Sequence, residues 1–484
     1  MKQAHPVAVV RAAEAAAMAT LPEGALMDRA ATGLATVCLG LLGRAYGARV
    51  VLLVGSGDNG GDALFAGARL ADRGVRVDAL LIDPERVHVG GLAALRRAGG
   101  RVAGDAGVLD RADLVVDGIV GIGGSGGLRP AAADLVARAA RGPGLMVAVD
   151  LPSGVDADTG EVSGPAVHAD ATVTFGTWKP GLLTDPGAGL AGATTCIDIG
   201  LGAHLPAPTM CSLQAPDVAA RLPVPGRSDD KYRRGVLGVV AGSPAYLGAA
   251  VLAVGGALAA GAGMVRFVGP AAVAAAVRAQ WPEVVVADGL PSAAGRVQAW
   301  VVGPGGGTDD GARALLDDVL GTDVPVLVDA DGLTLLAQRG ELRRRAPTLL
   351  TPHAGELARL LGVERDTVES HRLAQVRAAA ARYGATVLLK GSTTLIAGPA
   401  NEPVWANGTG TGWLATAGSG DVLSGACGAL LAAGLPGDLA GALGAYLHGL
   451  AARLAAGSGA PVTAGRMIDL LPDAWRSVAP EEDQ

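Results

Sequence analysis

Aromatic residues are nearly missing from this 484-residue chain: Phe, Trp and Tyr together make up 3%, against 50% hydrophobic residues in all. A core with so few rings has to be packed from Ala, Val and Leu. The 75 glycines permit the close backbone approaches and tight strand-to-helix turns that such packing uses. Cysteine is scarce too. Cys38, Cys196, Cys211 and Cys427 show no C-x-x-C spacing, which argues against a zinc site or disulfide framework and fits a reducing cytoplasm. Charged residues are only 18%, with a net charge of −7 and no basic block. Nucleic acid demands a clustered Lys/Arg footprint, so it is excluded as a partner. No G-x-x-x-x-G-K-[ST] loop occurs, which sets aside a P-loop kinase.

The N-terminal apolar stretch is broken by Arg11 and Glu14 and reads as an amphipathic helix rather than a secretory signal. Gly235 to Val265 runs 31 residues without a charge, longer than the roughly 20 a membrane span needs. Pro244 and many small residues interrupt it, and it divides into a Val-rich strand, a loop and a helix. A buried α/β segment is expected, and no membrane partner.

The length suggests two to four domains. Strand-length apolar runs at Arg49 to Val54, Arg76 to Ile82, Leu114 to Asp117, Met146 to Asp150, Thr172 to Phe175 and Thr194 to Ile199 alternate with helical or Gly-rich segments. That pattern predicts a mostly parallel sheet with helices on both faces. Ligands bind such sheets beyond the carboxyl ends of the strands, where this half carries Asp58, Asn59, Asp117, Asp150 and Ser153. A pattern lapse from about Gly202 to Asp230 reads as a linker, with Arg221 to Leu222 assigned to a short helix. The second half repeats the α/β alternation from Val236 onward and ends in three helices, near 419–433, 439–456 and 464–475. Lys231-Tyr232-Arg233-Arg234 reads as a solvated surface cluster.

The stretch that carries most chemistry is A-T-A-G-S-G-D-V-L-S-G-A, Ala415 to Ala426. A helix starting at about Ser419 turns its free N–H groups and dipole toward one point, which suits phosphate. Asp421 in the first turn would repel that anion unless its task is to take a proton from an attacking hydroxyl. A dipole-friendly carboxylate with no catalytic part is the structural alternative.

In the first half, G-S-G-D-N-G from Gly55 to Gly60 satisfies a bare G-x-G-x-x-G after a strand, so a Rossmann reductase is a rival reading. Asn59-Gly60-Gly61-Asp62, however, resembles the N-N-G-G-D loop of the NAD(P)H-hydrate epimerase family. Asp117-Gly118 with its G-I-G-G-S-G-G-L-R loop and D-L-P-S-G-V-D at Asp150 to Asp156 are similar to further motifs of that family, in order, over residues 1–203. The resemblance implies interconversion of R and S hydrated NADH or NADPH at nicotinamide C6. By it, Asn59, Asp117 and Ser153 would ligand potassium. Asp58, Asn59, Gly60, Gly61 and Asp62, the loop Gly121, Ile122, Gly123, Gly124, Ser125, Gly126 and Gly127, and Asp150 would hold the substrate. Asp58 stands where the family usually has Asn, and Ile122 and Gly124 where it has Thr and Leu.

The second half resembles the ADP-dependent NAD(P)H-hydrate dehydratases of the ribokinase-like superfamily. The motifs are Gly242-Ser243 with Tyr246, Gly248 and Ala249, Gly303 to Gly305, Asp329 to Leu333, Thr351 to Glu356, Leu389 to Gly391 and Gly418 to Leu423. The implied chemistry is phosphoryl transfer from ADP to the 6-hydroxyl, then phosphate elimination to restore NADH or NADPH. Asp421 would be the base, also touching substrate. Lys390, Gly391, Ser392, Thr393, Thr394 and Gly420 would hold the nucleotide with Mg²⁺, while Ala249, Gly305 and His353 would face the hydrate. A helix cap is the structural alternative for His353.

The expected architecture is therefore α/β with two domains. An N-terminal Rossmann-like three-layer sandwich over residues 1–203 is followed by a linker at 204–230 and a ribokinase-like α/β domain at 231–478. A cytoplasmic homo-oligomer acting on small molecules is expected. A ribokinase-like sugar or vitamin kinase with a non-catalytic N-terminal binding module remains the alternative.

Overall fold

The computed structural model describes residues 1–124, 126–400 and 402–479, so Ser125 lies outside the described residues. The chain divides into two compact units, Gln3–Met210 and Cys211 onward with Met1–Lys2.

The N-terminal unit is built on seven strands. Their spatial order is Arg101–Val102, Arg76–Leu81, Arg49–Val54, Leu114–Gly118, Leu145–Val149, Ala171–Phe175 and Ala193–Ile197. All adjacent pairs are parallel. Side chains alternate across a strand, and the Arg49–Val54 strand shows the consequence. Leu52 and Val54 enter a core shared with the helices Ala25–Leu42 and Asp58–Ala71. Val51 and Leu53 enter a second core, shared with Ala132 and Val136 of the Pro130–Ala139 helix. A sheet buried on both faces is a three-layer sandwich, and it explains a strand whose five residues after Arg49 are all buried.

The C-terminal unit carries the strands Val404–Asn407, Thr394–Ala397, Thr386–Leu389, Thr348–Leu350, Val326–Val328, Ala299–Val302, Val236–Val240, Met264–Val268 and Val285–Ala287, in that spatial order. From Thr386–Leu389 to Val285–Ala287 the pairs are parallel. The first two strands form an antiparallel hairpin beside them. The helices Leu247–Ala259 and Ser419–Ala432 meet at backbone distance. A Cβ on Gly425 would lie 1.9 Å from the Ala253 carbonyl oxygen, and one on Gly256 would lie 2.4 Å from that of Val422. Small residues take the place of aromatic bulk in this core.

Two expectations change. The segment 204–230 contains a strand, Met210–Ser212, and a helix, Ala215–Ala219. Gln214 and Asp217 form a capping box there with Pro in the first turn, and Leu213, Val218 and Leu222 join the C-terminal core. Arg221 and Leu222 follow that helix instead of belonging to one. The Gly235 to Val265 stretch divides as expected into the strand Val236–Val240, a loop and the helix Leu247–Ala259, and the Lys231–Arg234 cluster is exposed. Among the described residues one helix, Ala25–Leu42, is long and apolar enough to cross a membrane, and its Leu26, Leu34 and Cys38 face the N-terminal core.

Candidate active sites

In the N-terminal unit the strand ends open into a cavity of about 1550 Å³. Gly57, at φ 103°, turns the chain from the Arg49–Val54 strand into the Asp58–Ala71 helix, a conformation that only glycine adopts without strain. Asp58, Asn59 and Asp62 on that helix, the described residues of the 121–127 loop, and Asp150 all line the cavity. Gly60 and Gly61 stand behind the wall: a Cβ at Gly60 would lie 2.4 Å from the Gly55 carbonyl oxygen, and one at Gly61 would press on His88.

Asn59, Asp117 and Ser153 belong to one cluster at the same strand ends. Ser153 Oγ lies 2.7 Å from Asp117 Oδ1, and Asp117 Oδ2 accepts from Ser153 N at 2.8 Å. The hydroxyl also sits 3.1 Å from the Val120 carbonyl oxygen. The Asn59 Oδ1 faces Gly121, where a Cβ would come within 2.7 Å of it. Asp117 is fully buried. Burial pushes its carboxyl up to about 6 against the opposing hydrogen bonds from Ser153 and Ile119. No Lys or Arg of the described residues neutralises it, and the buried Asn59 Nδ2 has no hydrogen-bond partner among them.

Asp150 occupies a left-handed backbone conformation, φ 66°. Its carboxylate is bound by Lys179, a lysine that is 1% exposed. Reading the sequence missed Lys179, and the only signal was its place 29 residues after Asp150 in T-W-K-P-G. Glu14, likewise missed, lines the same cavity, and burial raises its carboxyl.

In the C-terminal unit five loops converge at the carboxyl ends of the parallel strands. Gly418, at φ 86°, is the N-cap of the Ser419–Ala432 helix, and Asp421 lies in its first turn. Burial and then the Asp329 charge push the Asp421 carboxyl up to about 7, with Lys390 pulling the other way. Lys390 Nζ donates to Asp329 Oδ1 at 2.8 Å and lies 3.7 Å from Glu356 Oε2. Burial works against its charge, but Asp329 and Glu356 outweigh that and hold the ammonium above the ordinary lysine range. Ser424 Oγ donates to the other Asp329 oxygen at 2.6 Å. Ala330, at φ 49°, turns the chain so that Asp331 Oδ2 instead accepts from Gly307 N at 2.9 Å. Gly420 faces Lys390, with 3.6 Å between a Cβ built there and Nζ.

His353 caps the Ala354–Leu361 helix: Nδ1 accepts from Gly355 N at 3.0 Å and Glu356 N at 3.3 Å, while Glu356 Oε2 accepts from His353 N at 2.8 Å. The cap uses Nδ1 only, and Nε2 lies 3.7 Å from Glu356 Oε1. Gly305 packs against Ala249 and Tyr246, with 2.7 Å between the Ala249 Cβ and one built on Gly305. The 390–394 segment is split. Gly391 and Ser392 are exposed, whereas Thr393 is buried and Thr394 begins the strand Thr394–Ala397, paired with Asn407.

Two further residues escaped the sequence reading. Arg372 donates to the Lys390 and Thr393 carbonyl oxygens at 3.3 and 3.0 Å, and a Cβ at Gly391 would collide with its guanidinium. His448 Nε2 donates to the Ser419 carbonyl oxygen at 2.8 Å, and burial depresses its imidazole to about 4, so the ring there is neutral.

The C-terminal unit sets a glycine-capped helix with a first-turn aspartate against a lysine held by carboxylates, and a helix start of this kind can take an anion. Its fold is ribokinase-like: a ribokinase-like superfamily protein of Enterococcus faecalis superposes with TM-score 0.51 at 23% identity, over 56% of this chain and 97% of that one. Residues 237–473 match the NAD(P)H-hydrate dehydratase family model, and residues 23–181 match the model of the YjeF-related protein N-terminus. A bifunctional NAD(P)H-hydrate repair enzyme of Mycobacterium leprae is 53% identical over 97% of this chain and 98% of its own. The crystal structure of the ADP/ATP-dependent NAD(P)H-hydrate dehydratase from Bacillus subtilis, co-crystallized with ATP/Mg²⁺, superposes with TM-score 0.51 at 30% identity, over 55% of this chain and 97% of that one. The chain belongs to the bifunctional NAD(P)H-hydrate repair enzyme family.

Proposed function

We propose that the two units carry successive steps of nicotinamide-nucleotide repair in the cytoplasm, each within its own domain. The N-terminal unit interconverts the R and S hydrates of NADH and NADPH at C6. The C-terminal unit removes the 6-hydroxyl of the S form at the expense of ADP, releasing AMP and phosphate.

Asp421 carries the dehydratase reading. A carboxyl with its pKa near 7 is poised to take the 6-hydroxyl proton as that oxygen attacks the β-phosphorus of ADP. The N–H groups of Gly418 to Gly420 and the Lys390 ammonium then face the developing phosphoryl charge. Phosphate leaves C6 with the C6–O pair, C5 loses a proton, and the dihydropyridine is restored. Gly391, Ser392 and Gly420 hold the nucleotide, with Thr393 and Thr394 anchoring that loop from the hairpin. Ala249, Gly305 and His353 Nε2 face the hydrate. The Asp331 carboxylate is a hard donor of the kind magnesium takes. Magnesium bound with the nucleotide supplies charge neutralisation at the transferred group.

For potassium, the donor chemistry fits. Asn59, Ser153 and Asp117 offer hard oxygens with one buried carboxylate that no Lys or Arg of the described residues balances, which suits a monovalent ion.

The test is racemic NADPH hydrate supplied to the purified full chain with ADP, in potassium or in sodium, following absorbance at the NADPH band. Complete recovery requires both activities. Recovery of half the substrate leaves only the dehydratase, and no recovery defeats the reading. A stable phosphorylated sugar or vitamin product in its place would favour the kinase.

A further inference from the structure

We propose that Asp150 is the proton-transfer base of the N-terminal site, with Lys179 fixing its carboxylate, an assignment that rests on the epimerase reading above. Lys179 Nζ directs its three donors at Asp150 Oδ1 at 2.5 Å, Thr174 Oγ1 at 3.0 Å and the Phe175 carbonyl oxygen at 3.0 Å. Asp150 Oδ1 also accepts from Thr174 Oγ1 at 2.9 Å and Phe175 N at 3.4 Å. Every bond that the Asp150 carboxylate accepts falls on Oδ1. Oδ2 takes none from the described residues, and Asp150 lines the cavity.

A pair retained only for stability has no reason to leave one carboxylate oxygen open. Buried ion pairs are seldom more stable than apolar packing of the same volume. The left-handed backbone of Asp150, φ 66°, adds a cost that persists where a side chain must be aimed. An anchored oxygen beside an open one, on a strained residue facing the cavity, is the geometry of a general base.

The substrate needs such a group. In the hydrated ring C6 carries both the hydroxyl oxygen and N1, so inversion requires one bond to C6 to break and reform. Asp150 Oδ2 takes the 6-hydroxyl proton while the C6–N1 pair moves onto N1, leaving C6 as an aldehyde. N1 takes its proton from Asp62, a cavity carboxyl that burial, and then the Asp150 and Asp58 charges, hold well above the usual range. Rotation about C5–C6 presents the other face of the aldehyde. Ring closure returns the N1 proton to Asp62 and the Asp150 proton to the new 6-oxygen. Nothing is oxidised or reduced, and no group is lost.

The experiment measures R-to-S interconversion of isolated R-NADPH hydrate by the full chain, as kcat and KM separately, alongside direct binding of the hydrate. Wild type must interconvert the isomers; if it does not, the epimerase reading fails and not this assignment alone. Asp150→Asn is expected to lose at least about 100-fold in kcat with KM within a few-fold. Lys179→Gln is expected to lower kcat with KM within a few-fold, because Asp150 Oδ1 loses the anchor that aims Oδ2 at the cavity. Either variant leaves one buried charge alone. The double variant Asp150→Asn with Lys179→Gln removes both and decides the matter if a single variant fails to fold. A variant that binds the hydrate and interconverts it within 10-fold of wild type overturns the proposal. A raised KM with kcat intact overturns it too, returning Asp150 to a purely binding role.

Discussion

Both units place their functional side chains beyond the carboxyl ends of parallel strands, and both use a lysine–aspartate pair there, yet they balance charge in opposite ways. In the N-terminal unit Lys179 is used up on Asp150, and Asp117 is left buried with no cation beside it among the described residues. In the C-terminal unit one lysine, Lys390, serves Asp329 and Glu356 together, beside the start of a helix that no side chain caps. The first arrangement asks for a cation. The second shares one ammonium among several carboxylates, and the Asp329 and Asp331 charges push on Asp421 in turn. The lesson is that the balance of charges, rather than the fold, separates two sites of the same strand-end design.

The sharpest way to break this comparison is Asp421→Asn. ADP-dependent recovery of NADPH should fall by at least about 100-fold, with isomer interconversion unchanged on the same preparation. Near-normal turnover would leave Asp421 as a dipole partner only.

Next comes His448, whose neutral ring holds the Ser419 carbonyl. Its folded pKa of about 4 lies below the ordinary 6.5, so its contribution is present above pH 6.5 and is lost as pH falls through 4. That window carries about 3 kcal/mol at most. Urea unfolding of the full chain at pH 7 and at pH 4.5 should show a drop that His448→Gln reduces. An unchanged drop in the variant would remove His448 from the account.

A smaller effect separates the two activities by pH. Because Asp421 must be ionised, dehydratase kcat/KM should fall about tenfold per unit below pH 7. A profile flat from pH 5 to 8 would contradict a base with that pKa.

The least effect belongs to His353→Ala. Loss of the Nδ1 cap should cost about 1 kcal/mol of stability, read by thermal melting, with Asn at this position restoring most of it. A hydrate KM raised in both variants would separate the role of Nε2 from that of the cap.

Local signals carried most of what the sequence revealed. The Arg49–Val54 strand is an apolar run from Val50 onward, and the glycine turns before Asp58 and Asp421 announce helix starts. Residues defined by distant partners stayed hidden. Lys179 meets Asp150 only after the Ala171–Phe175 strand has run beside Leu145–Val149. Arg372 and His448 sit in helices where nothing local separates them from ordinary polar positions. The Thr394–Ala397 strand escapes notice because four residues carry too little periodicity to register, and only its first residue, Thr394, falls in the 390–394 motif. The segment 204–230 was read as a linker from its prolines, although Gln214, Pro216 and Asp217 spell a helix start.

The contact between Gly425 and the Ala253 carbonyl oxygen bears on how this enzyme can change. The helix presenting Asp421 is seated backbone on backbone, with no side chain between to compress or reorient. Even a methyl group at position 425 would have to displace one helix, and the first-turn carboxylate would move with it. The reach of that carboxylate is thus set several residues away, at a position that touches no ligand, and its tolerance to substitution is that of a hard stop rather than a spring.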